Sequence, residues 1–260
     1  MLKYSVLASG SSGNLTLVES PETKILIDCG ISGKRVREKL NDKGLSLEDI
    51  DLVLITHKHV DHIRGLAQVS KVVRPCVSDK LYPYIPDKMA NLHEPLLFAA
   101  DTPLVMGDLE IIPVAVSHDC VDPVCFVVSC GSDKLAVVTD LGEVNVNLIE
   151  AVRGARVVIM EANYDLQMLS RSSRPVFLKN RILSKVGHLS NRSSGRFLAK
   201  VYTISLEEVV LVHLSQDCNT PELAIKTVKN EMSMHGIFFD RFQVAGPDGL
   251  LQLEQTLPVC

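Results

Sequence analysis

Thr56-His57-Lys58-His59-Val60-Asp61-His62 follows the apolar run Leu52-Val53-Leu54-Ile55 and decides how the chain is interpreted. The segment places four metal-ligand side chains within six residues. The alternation of an extended strand end puts the first two histidines on one side, and the following turn lets Asp61 and His62 face a second ion. Three imidazoles with water make a zinc-type catalytic site, and an added carboxylate allows two metal ions about 3.5 to 4 Å apart. The segment therefore predicts a metal site rather than a solvated polar turn.

The composition is that of a soluble globular protein, since 46% of the 260 residues are hydrophobic and 22% are charged. We expect a single domain over residues 1–260, because no repeat or linker divides it. Apolar runs are too short for a membrane span, the N-terminus lacks signal-peptide character, and the seven cysteines contain no C-x-x-C pair. These features predict a cytoplasmic protein with reduced thiols and no membrane partner. A net charge of −4 argues against an overall basic nucleic-acid binder.

The pattern H-x-H-x-D-H after an apolar strand resembles the signature of the metallo-β-lactamase fold. That resemblance implies an α+β four-layer αββα sandwich with a metal site along one edge. It also implies how the ligands are shared. One ion would be held by His57, His59 and His118, the other by Asp61, His62 and His213, with Asp140 bridging and Asp28 orienting ligands from behind.

The three later ligand candidates each have a simpler interpretation. His118 suits an ordinary loop, Asp140 suits a turn beside Gly142, and His213 on an apolar strand suits a satisfied core residue. Each nevertheless follows a strand-like apolar run and matches the order of ligands that the fold requires. We therefore predict all three as ligands.

Five further motifs resemble the YycJ (WalJ) family, in the same order along the chain. They are the segments 9–14, 26–30, 161–165, 187–191 and 213–224. The resemblance implies a metal-dependent nuclease with 5′ to 3′ exonuclease activity on double-stranded DNA and a role in DNA repair. The chain departs from the family at Tyr164, where a His is frequent, and at Cys218, where an Asn is expected.

The segment from Ser170 to Lys200 contains eight basic residues and no acidic one. This local charge predicts contact with nucleic-acid phosphates and a strongly salt-dependent affinity. A solvated charged surface is the alternative.

The motif Gly187-His188-Leu189-Ser190-Asn191 precedes a predicted helix near Arg192. We predict that Ser190, Asn191 and Arg192 contact a substrate phosphate through the helix start. In related phosphodiesterases of this fold, a His in such a motif protonates the leaving oxygen, so His188 is the predicted general acid; an exposed histidine near the cap is the alternative. Ser9 to Asn14 favours a supporting turn over an anion nest. Glu161 and Asn163 are expected near the site, or as structural residues, but not as ligands.

The predicted mechanism uses two divalent metal ions, with Zn, Mn and Fe all suited to these ligands. A metal-bound hydroxide would attack phosphorus, Asp61 would orient it as well as bind metal, and His188 would donate a proton. A small-molecule phosphodiesterase, an acyl hydrolase and a non-catalytic metal-stabilised nucleic-acid binding module remain the alternatives. The basic segment argues against the acyl hydrolase, because an acyl substrate has no use for it.

Overall fold

Apolar strand-forming runs build two β-sheets in the computed structural model, which describes residues 1–86 and 93–251. In the described part of the chain the first sheet has six strands, in the order β1 Lys3–Ala8, β2 Leu15–Glu19, β3 Lys24–Ile27, β4 Leu52–Leu54, β5 Arg74–Ser78 and β6 Leu96–Phe98. The strands from β3 to β6 run parallel to one another.

The second sheet runs in the reverse spatial order, from β14 to β7. Its strands are β7 Leu104–Met106, β8 Leu109–Ala115, β9 Val124–Cys130, β10 Asp133–Val138, β11 Val157–Glu161, β12 Glu208–Val212, β13 Phe242–Gly246 and β14 Gly249–Leu250. Strands β10 to β13 are parallel, so their carboxyl ends lie at one edge of the sheet. A hydrogen bond from the Ser9 N–H to the Gly246 carbonyl joins this sheet to the loop after β1.

The helices connect and cover the sheets. They are α1 Gly33–Asn41, α2 Val60–Ile63, α3 Leu66–Val69, α4 Val146–Val152, α5 Leu166–Arg171, α6 Val176–Leu183, α7 Asn191–Val201 and α8 Pro221–Ser233. Side chains at their first turns stabilise several of them; Ser32, for example, accepts the Arg35 N–H and caps α1. None of the helices described is both long enough and apolar enough to cross a bilayer.

Three apolar clusters separate the layers. The middle cluster fills the space between the sheets and contains Phe126 and Leu54. The outer face of the first sheet packs on α1 through Val36, and that of the second packs on α7 through Phe197. The predicted αββα sandwich is confirmed.

Polar residues collect where parallel strands end. Asp28 follows β3, Asp140 follows β10 and His213 follows β12. All three have left-handed backbone conformations, with φ of 60°, 58° and 55°. Non-glycine residues adopt this region rarely, and they cluster at functional sites. The functional site is therefore expected at this edge of the sandwich.

Candidate metal centre

Three histidines meet beyond the ends of β4 and β8. His57 Nε2 lies 3.0 Å from His59 Nδ1, and His118 Nε2 lies 3.2 Å from that same nitrogen. All three ring nitrogens are within 4.8 Å of one another. Converging imidazole nitrogens of this kind suit a divalent metal ion.

A second group forms beside the first. Asp61 Oδ2 lies 3.7 Å from His62 Nε2 and 3.6 Å from His213 Nε2. Asp140 stands between the two groups, with Oδ2 3.0 Å from His62 Nε2 and Oδ1 3.9 Å from His118 Nε2. Its carboxylate is therefore positioned to bridge, and the structure brings all seven predicted ligands into one cluster.

Two buried atoms in this cluster test whether a metal ion fits. Within the described residues, Asp140 Oδ2 and His213 Nε2 make no hydrogen bond of acceptable geometry, although His62 Nε2 lies 3.0 Å from the first atom and Asp61 Oδ2 lies 3.6 Å from the second. An unsatisfied buried polar atom costs about 1 to 3 kcal/mol, so such atoms are normally paired. A divalent ion would satisfy both, and a set of imidazoles and carboxylates suits Zn, Mn and Fe alike. The residues present fit such ions.

Asp28 supports two of the histidines from behind. Its Oδ2 accepts the His62 Nδ1–H at 2.7 Å, and its Oδ1 accepts the Thr56 N–H at 2.9 Å. The Thr56 hydroxyl donates to Asp28 at 3.0 Å and accepts from His57 Nδ1 at 3.0 Å. These contacts orient the other ring nitrogens toward the cluster, which supports the role predicted for Asp28.

The other two members of the first group are held in a similar way. His118 Nδ1 donates to the Gly187 carbonyl at 3.2 Å, and His59 Nε2 lies 3.8 Å from Asp119 Oδ1. In the sequence, Asp119 is distinguished only by its place directly after His118.

The loop from Ser9 to Asn14 supports the ligands directly. Ser9 Oγ accepts the His213 N–H at 2.8 Å, and the Asn14 N–H donates to the Asp61 carbonyl at 2.8 Å. Gly30 allows that segment to approach, because a Cβ there would lie 1.6 Å from the Asp61 carbonyl oxygen. These contacts agree with the supporting turn that the sequence favours over an anion nest.

Glu161, the last residue of β11, joins two histidines and is completely buried. Its Oε2 accepts from His188 Nδ1 at 3.1 Å and lies 3.3 Å from His213 Nδ1, while its Oε1 accepts the Leu189 N–H at 2.7 Å. The sequence predicted only a near-site or structural residue here. Its signal was present, since Glu161 ends an apolar strand as the candidate ligands do. Asn163, also expected near the site, donates to the His213 carbonyl at 2.8 Å.

His188 lies at the rim of the cluster. Its side chain is 19% exposed, and its ring centroid is 5.4 Å from that of His118 and 5.3 Å from that of His213. Because Nδ1 is directed at Glu161, Nε2 remains for proton exchange with a substrate. Burial lowers the pKa of His188, but the charge of Glu161 outweighs it and the pKa is raised.

The histidines of the cluster fall into two kinds according to the direction in which their pKa values are shifted. Burial, reinforced by the positive charge of His62, holds the pKa of His57 well below its usual value. Burial also opposes protonation of His213, yet Asp140 and the contacts to Asp61 and Glu161 raise its pKa to about 10. The pKa of His62 is likewise raised well above normal by nearby Asp28 and Asp140 despite burial. Carboxylates therefore hold protons on the second group that a metal ion would displace.

The predicted phosphate contacts lie at the start of α7. Ser190 Oγ accepts the Ser193 N–H at 3.1 Å and caps the helix. Asn191 is buried, and its amide pairs with that of Asn219 at 2.9 and 2.7 Å. Arg192 Nε lies 3.5 Å from Glu231. Their contact with a phosphate remains a prediction, and the amide of Asn191 is already engaged.

Acidic residues from outside the basic segment reduce its charge. Five of its eight cations lie within ion-pair distance of a carboxylate. These are Arg174 with Asp217, Arg181 with Asp119, Lys185 with Glu143, and Arg192 and Arg196 with Glu231. Arg171, Lys179 and Lys200 form no ion pair with the described residues. Nearby carboxylates therefore neutralise part of the positive charge that the sequence of this segment indicates.

The two departures from the family pattern pack together. Tyr164 and Cys218 belong to one small apolar cluster with Leu169 and Ile182, and both are buried. This cluster lies beneath α5 and α6, outside the candidate ligand set. The two changes therefore alter the support of those helices.

Comparison with known proteins agrees with this geometry. Residues 23–214 match the model of the family described as a beta-lactamase superfamily domain. The exodeoxyribonuclease YycJ of Bacillus anthracis is 34% identical over 239 residues, covering 90% of each chain. The exodeoxyribonuclease WalJ of Streptococcus pneumoniae is 32% identical, covering 89% of this chain and 88% of its own.

A solved structure extends the likeness to the whole fold. The metallo-beta-lactamase fold protein YhfI from Bacillus subtilis superposes with a TM-score of 0.75 at 18% identity, covering 96% of this chain and 98% of its own. The αββα architecture, the ligand types at its edge and the extent of the sequence match agree with one another. The chain belongs to the YycJ/WalJ family of the metallo-β-lactamase superfamily.

Proposed function

We propose that this protein is a metal-dependent 5′ to 3′ exonuclease acting on double-stranded DNA in a repair process. The observation that carries the proposal is the position of His188 beside a set of seven candidate ligands, 3.5 Å from Asp140 and held by Glu161. Relatives named as exodeoxyribonucleases over about nine tenths of both chains support nucleic acid as the substrate.

The ligand assignment follows the distances. His57, His59 and His118 would hold one ion, Asp61, His62 and His213 the other, and Asp140 both. When bound, two divalent ions supply a nucleophilic hydroxide at neutral pH and neutralise charge on the phosphate. Asp28, Thr56 and Glu161 keep the histidine rings in place.

Two side chains of the protein have direct tasks in the reaction. Asp61 Oδ1 or Oδ2 would accept a hydrogen bond from the attacking water and so orient it, in addition to binding metal. His188 would donate the Nε2 proton to the departing sugar oxygen, and Glu161 stabilises the protonated imidazole that this requires. General acid catalysis of this kind contributes about 100- to 10,000-fold.

The experiment is cleavage of end-labelled duplex DNA, single-stranded DNA and RNA with Mn²⁺ or Zn²⁺, beside bis(p-nitrophenyl) phosphate. We expect metal-dependent shortening of duplex DNA from the 5′ end, lost in His59→Ala and retained in the control His93→Ala, whose parent residue is exposed. His188→Ala should lose turnover but keep its metal. Turnover of the small ester alone would instead identify a small-molecule phosphodiesterase.

A further inference from the structure

Helix α6 presents an aromatic ring to solvent next to the candidate metal centre. Phe177 is 74% exposed and its neighbour Val176 is 73% exposed. The opposite side of the helix is anchored, since Leu178 and Ile182 pack into the small cluster that contains Tyr164. Packing in that cluster holds α6 in place, and the exposed Phe177 ring takes no part in that packing.

The C-terminal half of α6 is fixed to the metal centre. Arg181 Nε donates to Asp119, whose other carboxylate oxygen lies 3.5 Å from His118 Nε2. The His188 N–H donates to the Ile182 carbonyl at 3.1 Å, so the helix end also positions the predicted general acid.

The connection after α6 packs against the loop that carries Asp140. A Cβ on Gly142 would lie 2.4 Å from the Ser184 carbonyl oxygen and 2.5 Å from that of Lys185. The two loops therefore touch backbone to backbone, and α6 forms a wall of the site.

Phe177 and Arg181 are four residues apart on α6, so their side chains lie on the same face of the helix. One helical turn is about 5.4 Å, which places the Phe177 ring next to the residue that contacts Asp119. Lys179 lies two positions from Phe177, on a different face of the helix, and its ammonium donates to the Ser170 carbonyl at 2.7 Å. The cation on the same face as Phe177 is Arg181, and an exposed aromatic ring beside a guanidinium suits a polyanion whose bases stack on aromatic rings.

We propose that Phe177 stacks on the terminal base pair of a DNA duplex whose scissile phosphodiester, the first from the 5′ end, occupies the metal centre. This inference rests on the proposed function and adds the feature that recognises the DNA end. Stacking on an aromatic ring tolerates every base, as an exonuclease that moves along a strand requires.

The chain contains no tryptophan, which gives a direct test. F177W carries a single tryptophan at the proposed contact, whose emission can be excited selectively, and F238W is its matched control. Phe238 is 85% exposed and precedes β13, near the amino ends of the parallel strands, whereas His213 lies at their carboxyl ends. Both variants are titrated as the zinc-loaded proteins with a blunt duplex protected by phosphorothioate linkages, and with a closed dumbbell of the same sequence.

We expect the blunt duplex to quench F177W at least about twofold, with little effect from the dumbbell and none on F238W. Equal quenching by both DNAs, or of both variants, would overturn end stacking. Absence of quenching while the wild-type protein degrades unprotected duplex would overturn the inference and leave the proposed function intact. A wild-type protein that cleaves only the small ester would overturn the function itself.

Kinetics provide the second measurement. Phe177→Ala should raise KM for duplex DNA by roughly 10-fold, in line with the loss of one stacked base, and Phe177→Tyr should restore it. Hydrolysis of bis(p-nitrophenyl) phosphate should be unchanged, because that ester carries no terminal base pair for Phe177 to contact. An equal loss on both substrates would show that Phe177 only supports the fold and would contradict the proposal.

Discussion

The edge of the sandwich that carries the candidate ligands, here called the ligand edge, and the basic segment from 170 to 200 have similar numbers of charged or titratable groups. The two regions differ in how deeply these groups are buried and in which partners they contact. At the ligand edge the groups are mostly buried, and each contacts several others in the same cluster. In the basic segment the cations are largely exposed, and five face carboxylates contributed by distant segments. The contacts among the buried groups therefore define the candidate metal centre. The ion pairs at the surface reduce the positive charge that the basic segment could offer to a nucleic acid.

Removing the carboxylate that we propose as the bridge between the two ligand groups should have the largest effect. Asp140→Ala deletes the group that reaches both ligand sets and leaves His62 and His213 without its charge. We expect activity on DNA to fall by on the order of 1000-fold or more, with loss of bound metal. Elemental analysis and end-labelled cleavage measure the two effects.

Asp217→Ala is the matched control, since Asp217 is an exposed carboxylate paired with Arg174 in the basic segment. It should keep its metal and most of its activity. Full metal content in Asp140→Ala would contradict the bridging assignment.

Replacing a residue that orients a ligand should reduce metal binding less than replacing a ligand itself. Asp28→Asn keeps the shape of the side chain but replaces the acceptor of the His62 Nδ1–H, at present 2.7 Å away, with a weaker one. Metal affinity should fall by about 10- to 100-fold, because His62 loses its fixed orientation and basicity. Competition with a chelator measures this affinity, and an unchanged value would remove Asp28 from the site.

Glu161→Gln should change the pH dependence of activity. Glu161 raises the pKa of His188, so the general acid keeps its proton to a higher pH in the wild-type protein. The neutral amide removes that stabilisation, the pKa falls, and the alkaline limb of the profile should move to lower pH. Rates measured from pH 6 to 10 test this shift.

Glu143→Gln, at the exposed partner of Lys185, is the control for that profile and should leave it unchanged. An unshifted profile in Glu161→Gln would show that His188 does not act as the acid. Measuring metal content alongside separates this effect from disturbance of His213, which Glu161 also contacts.

The clustering of the candidate ligands could be anticipated, because the H-x-H-x-D-H segment and the later candidates follow apolar strands in the order that the family resemblance implies. Three arrangements could not. Asn191 turns inward to Asn219 because the two amides satisfy each other when buried. The acids that pair with the basic segment come from residues as distant as Asp119 and Asp217, which a local charge count does not include. Glu161 was underrated because its place at the end of an apolar strand was its only signal, and a lone carboxylate has no ligand spacing to support that signal.

The smallest expected effect is on the salt dependence of DNA binding when single cations of the basic segment are removed. If ion pairing moderates the attraction for DNA, Lys179, which has no carboxylate partner among the described residues, should matter more than Arg196, which lies 2.7 Å from Glu231. Each phosphate contact contributes about 0.9 to the slope of log affinity against log salt. Lys179→Ala should therefore lower that slope by about one, and Arg196→Ala by much less, in binding titrations between 50 and 300 mM NaCl. Equal reductions would mean that DNA displaces the carboxylate from Arg196, and that the surface charge acts as the sequence alone predicts.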